Sequence, residues 1–139
     1  QFTHYRKGLF WVSFAGPLSN ILLGIFTAFA LEGFQLMVSR DFGYYAPISA
    51  MLHSLLLINF SLAVFNMLPI PPLDGSNIVL AFLDYETSRK YMMLQQYSFI
   101  FLLLLMATGA LKVLSIPVLY LAGGAMLMAK VVFGFALAS

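Results

Sequence analysis

Between residues 42 and 73 the chain runs for 32 positions without a single Asp, Glu, Lys or Arg. A helix rises about 1.5 Å per residue, and about 20 apolar residues cross the roughly 30 Å hydrocarbon core of a bilayer. A run of this length therefore has one natural solvent, lipid. Three further charge-free runs, at residues 8–31, 91–111 and 113–129, are long enough or nearly so. The spacing predicts an all-α, polytopic membrane protein with about four transmembrane helices, over 9–31, 46–68, 91–113 and 117–137. The whole of 1–139 then forms one transmembrane domain. Polar breaks fall at residues 32–45, 84–90 and around Ser115 to Pro117, and are expected to be loops. No strand pattern long enough for a barrel is present.

Composition agrees: 62% of the residues are hydrophobic and 9% charged, where soluble domains carry about 25% charged residues. The net charge of +2 is spread without a basic patch, so nucleic acid is excluded as a partner. The chain has no cysteine, so any metal ligand must be His, Asp or Glu. Of the seven basic residues, Arg6, Lys7, Arg89, Lys90 and Lys130 fall on one side of the expected topology, and Arg40 and Lys112 on the other. The positive-inside rule then places the N-terminus, the loop after residue 83 and the C-terminus in the cytoplasm of a multi-pass plasma-membrane protein.

One carboxylate stands out. Asp74 follows the 32-residue run and precedes nine more uncharged positions, within Phe65-Asn-Met-Leu-Pro-Ile-Pro-Pro-Leu-Asp-Gly-Ser-Asn77. Pro69, Pro71 and Pro72 lack a backbone N–H and clash with a continuing helix, so the second span must unwind near Leu68. Irregular backbone at membrane depth survives only where protein encloses it or it lines a wet cavity. The segment is thus expected to be a proline-broken pocket wall presenting a carboxylate. The alternative is a surface turn in which Asp74 is the N-cap of a short helix from Gly75 to Leu83. Spacing leaves both open.

A second polar feature lies inside the first span, at Ala15-Gly-Pro-Leu-Ser-Asn20. Gly16, Asn20 and Gly24 recur every four residues, so they share one helix face, continued by Thr27 and Ala28. That face suits close helix packing, with Asn20 free to hydrogen-bond across it. The two histidines are poor ligands for a shared site. His53 precedes Asp74 by 21 residues, a rise of roughly 30 Å if helical, and His4 sits in a basic, solvated N-terminal segment. Catalytic zinc takes three protein ligands, and sequence alone offers one carboxylate and at most one neighbouring imidazole. No nucleophile elbow or phosphate-cradling loop is present.

Gly16-Pro-Leu-Ser-Asn20 followed by Asn66-Met-Leu-Pro-Ile-Pro-Pro-Leu-Asp-Gly75 resembles the two motifs of the site-2 protease family of intramembrane zinc metalloproteases, in its small bacterial form without a PDZ domain. The resemblance implies that Asp74 is the third ligand of one Zn2+, the other two coming from the histidines of a His-Glu-x-x-His helix whose Glu is the general base. That helix is absent from these residues. The implication is a C-terminal portion of a protease, inactive alone, that in the whole protein cleaves membrane-spanning segments of protein substrates within the lipid bilayer. Asn66 would bind the extended substrate backbone, and Asn20 would hold the metal helix or stabilise the oxyanion. The competing expectation is a non-catalytic membrane module, a pseudoprotease or a transporter subunit.

Overall fold

The computed structural model describes residues 2–70 and 73–138, and within these the chain is helical, without strands. The helices are α1 (Phe2–Met37), α2 (Tyr45–Asn66), α3 (Asp74–Phe82), α4 (Tyr85–Met93), α5 (Gln95–Thr108) and α6 (Ser115–Ala138), with a 3-10 turn at Ala110–Leu114. Three helical stretches, Thr3–Met37, Tyr45–Asn66 and Ala110–Ala138, are long and apolar enough to cross a membrane. The bent pair α4 and α5 brings the number to four if it counts as one span.

α1 is longer than the run that predicted it. Its 36 residues rise about 54 Å, well beyond the hydrocarbon core. Residues 32–37, expected in a loop, continue the helix because nothing stops it before Ser39. Gly33 is not a terminator here but a contact, since a Cβ at that position would lie 3.1 Å from Cζ of Phe133. As a result Glu32 is buried inside the helix, and its Oε2 has no hydrogen-bond partner among the described residues.

The third expected span departs further. α4 and α5 meet at Leu94 with a bend of 56°. There the i→i−4 ladder gives way to shorter bonds, from Leu94 N to Tyr91 O and from Tyr97 N to Leu94 O. α5 then ends at Gly109, whose φ of 74° is the left-handed conformation that closes helices. Fourteen residues rise only about 21 Å, too short to cross alone.

Ala28 of α1, Leu56 and Phe60 of α2, and Val118, Ala122 and Ala125 of α6 form the buried core. Small side chains let the three backbones approach, the usual basis of helix association in lipid. Gly24 is a close point of this contact between α1 and α2: an added Cβ would sit 2.7 Å from Cζ of Phe60. Phe133, near the end of α6, packs its ring on Phe29 at 6.2 Å between centroids and over Gly33. Were α6 antiparallel to α1, with Phe133 still on Gly33, Val118 would stand about 16 Å beyond the Met37 end of α1, out of reach of the core. α6 therefore runs parallel to α1. Its C-terminal end lies with Met37, opposite the N-terminal end of the chain, which corrects the expectation that both termini share a side. Lys130 moves to the Arg40 end and Lys112 to the Asp74 end, so the five-to-two distribution of basic residues survives with altered membership.

Candidate metal centre

The last turn of α2 tightens before it stops. Met67 N bonds to the carbonyls of both Ala63 and Val64, and Leu68 N to Phe65 O, so the helix unwinds where Pro69 forbids another turn. Pro71 and Pro72, also expected to break it, lie outside the described residues. Beyond them Leu73 N returns to Ile70 O at 2.9 Å, and Leu73 O accepts both the backbone N–H of Ser76, at 3.1 Å, and its hydroxyl, at 2.7 Å. Tyr91 of α4 donates its hydroxyl to Pro69 O, which ties the far side of this turn to the next helix.

These bonds aim Asp74. It is the first helical residue of α3, preceded by the extended Leu73, and its carboxylate makes no hydrogen bond or ion pair with the described residues. The capping alternative thus leaves no cap behind: the side chain is half-buried, uncommitted, and sits at the positive end of a helix dipole. Two glycines create its position. A Cβ on Gly75 would run into the backbone carbonyl oxygens of Met67 and Leu68, so α3 starts directly against the end of α2 only because residue 75 has no side chain. A Cβ on Gly16 would lie 2.8 Å from Asp74 Oδ2. The Gly-Pro of α1 and the Asp-Gly of α3, 58 positions apart in the chain, therefore face one another, with Pro17 fully buried beside them.

The other candidate residues fall around this contact. Asn20, one turn above Gly16, is half-buried and donates Nδ2 to Gly16 O at 3.4 Å, while Ser19 Oγ donates to the same carbonyl at 2.7 Å. Asn66 is the final residue of α2, half-buried where the helix opens. His53 is exposed on α2, 13 residues and about 20 Å of helix before Asn66, and His4 is exposed near the start of α1. Among the described residues no three His, Cys, Asp or Glu side chains converge. The described residues alone do not make a zinc site; Asp74 has the donor chemistry and the freedom for one of its three ligand positions.

Peptidase family M50 matches residues 32–107, more than half of the chain and the whole of the α2 to α3 segment. The chain belongs to peptidase family M50. Among its relatives, a Bacillus subtilis (strain 168) protein named "Putative zinc metalloprotease YwhC" is 31% identical over 102 residues, which cover 70% of this chain and 45% of that protein. "Zinc metalloprotease MJ0392" of Methanocaldococcus jannaschii is 31% identical over 86 residues, 62% of this chain and 22% of that protein. The chain thus spans less than half the length of the curated relatives it matches. No solved structure matches it.

The sequence motifs do not foretell that their two segments meet. The sequence stripe Gly16, Asn20, Gly24 reads as one packing face, whereas the structure splits its duties: Gly24 receives Phe60 and Gly16 receives Asp74. The signal that separates them is Pro17, which marks the turn where the face changes partner.

Proposed function

We propose that this chain supplies one ligand and the supporting walls of an intramembrane zinc metalloprotease that cleaves membrane-spanning segments of protein substrates. The observation that carries the proposal is the Asp74 carboxylate, unpaired among the described residues, half-buried and held against Gly16 by a proline-broken turn in an otherwise uncharged region. An uncommitted carboxylate there is costly unless something binds it. Membership of family M50 and the names of the relatives support zinc as the binding partner.

In this account Asp74 would supply one ligand to the zinc, and two histidines and a glutamate base would come from residues outside this chain. Bound zinc supplies Lewis-acid polarisation and activates water for peptide hydrolysis. The chain's own residues do the rest. Gly16 leaves the carboxylate room to swing, and Pro17 and Gly75 fix the two backbones that bracket it. Asn66, at the opened end of α2, offers an amide donor and acceptor to a substrate strand that has left its helix. Asn20 turns its amide to the same side and steadies the neighbouring metal-bearing helix or the developing oxyanion. The cluster of Arg6, Lys7, Arg89, Lys90 and Lys112 at the Asp74 end supports a cytoplasmic placement of that end.

The test is cleavage of a membrane-spanning reporter by the full-length protein that carries this chain. Cleavage is expected, and both a zinc chelator and Asp74→Ala should abolish it. Cleavage that survives either one overturns the zinc and Asp74 assignment, and no cleavage by the parent protein favours a non-catalytic membrane module.

A further inference from the structure

The N-terminal turns of α1, the outer side of α3 and the bend between α4 and α5 enclose a cavity of about 730 Å³ at the Asp74 end of the bundle. Its walls are chemically divided. Arg6 and Arg89 bring two guanidinium groups from different helices, Asn77 adds an amide, and Leu80 and Met93 form an apolar side. Ser88, also on the wall, keeps a buried hydroxyl with no hydrogen-bond partner among the described residues. Among the described residues no acidic side chain lines the cavity.

The state of the charges matters. Arg6 donates to Leu83 O and lies near Asp84, so part of its capacity is spent at the α3 to α4 junction. Asp84 in turn accepts Thr87 N at 2.9 Å. Arg89 is exposed and makes no ion pair or hydrogen bond with the described residues. Counting Lys7, Lys90 and Glu86 as well, the immediate neighbourhood is positive by two charges. The height is equally telling. α1 is about 54 Å long against a hydrocarbon core of roughly 30 Å, so it extends beyond the core, and the basic residues of its first turns and of α4 suit the phosphate level of a bilayer.

We propose that this cavity is a binding site for an anionic phospholipid, with the phosphate held between Arg89 and Arg6 and the acyl chains passing over Leu80 and Met93 into the membrane. Guanidinium groups grip a phosphate through paired N–H bonds, and Ser88 and Asn77 supply the neutral donors that complete such a site. A soluble phosphate would leave the apolar wall unused. The inference is independent of whether Asp74 binds zinc.

Native mass spectrometry of the full-length protein, released from mixed micelles, tests it with dioleoylphosphatidylglycerol and dioleoylphosphatidylcholine as probes. The glycerol lipid should be retained in preference to the choline lipid. Arg89→Ala should weaken that retention about fivefold, the effect of about 1 kcal/mol for one basic residue near an anionic lipid. Lys90→Ala, one position on but outside the cavity wall, should weaken it less than Arg89→Ala does, and millimolar inorganic phosphate should leave it unchanged. Equal retention of the two lipids, or an unaltered Arg89→Ala protein, overturns the site. An equal loss in Lys90→Ala shows diffuse surface attraction instead, and displacement by inorganic phosphate shows a soluble ligand; either result also overturns it.

Discussion

Two residues without side chains hold the Asp74 carboxylate in place, and each makes a distinct prediction. Gly16→Ala puts a methyl group 2.8 Å from Asp74 Oδ2, whose side chain can rotate aside. The variant should therefore fold with near-normal thermal stability but lose zinc affinity in the full-length protein, measured by competition with a chromogenic chelator. Gly75→Ala meets fixed backbone instead, the carbonyls of Met67 and Leu68, and should cost about 1–3 kcal/mol or more, read as a lowered unfolding temperature. Asn66→Ala separates substrate handling from metal binding: turnover should fall while zinc content stays intact. Glu32 poses the opposite case, a buried carboxylate whose Oε2 has no partner among the described residues. Glu32→Gln keeps its shape and removes the charge, so the unfolding temperature should hold or rise; a fall of several degrees would reveal an ion pair made with residues outside this chain.

At the scale of elements, the α3 to α4 junction is the most sensitive to pH. Hydrogen bonds from Thr87, the side-chain one foremost, hold the Asp84 carboxyl below the usual carboxylate range, and Arg6 adds to them. A carboxyl lowered in the folded state stabilises that state in full above its unfolded value, near 3.8, and the contribution disappears as pH falls through the lowered value. The unfolding temperature of Asp84→Ala should thus lie below that of the parent at pH 7, with the gap narrowing as pH drops below about 4. A gap that stays constant would show that the hydrogen bonds do not depend on the charge. The elements themselves were unequally legible. α2 and its unwinding near Leu68 followed from Pro69 because proline acts locally. The bend at Leu94 did not, since Tyr91-Met-Met-Leu-Gln95 carries no helix breaker and Tyr91 is held by Pro69, 22 positions earlier. Glu32 was misplaced for a related reason: its charge argued for a loop, while the Phe133 ring packed over neighbouring Gly33 keeps the helix running.

For the whole molecule, the direction of α6 decides which ends share a membrane face. The chain has no cysteine, so once any cysteine outside it is replaced, single cysteines report accessibility without background. In the full-length protein, Thr3→Cys and Ala138→Cys should react with a membrane-impermeant maleimide from opposite sides. Labelling from one side would mean that α4 and α5 together complete a fourth crossing. The candidate site, too, is a property of the whole: Gly16 and Asp74 meet only because α1 and α3 are brought face to face. Metal content of the purified full-length protein addresses that central claim most directly. The account predicts one zinc per chain in the parent and its loss in a folded Asp74→Ala variant; a variant that retains its full zinc would contradict it.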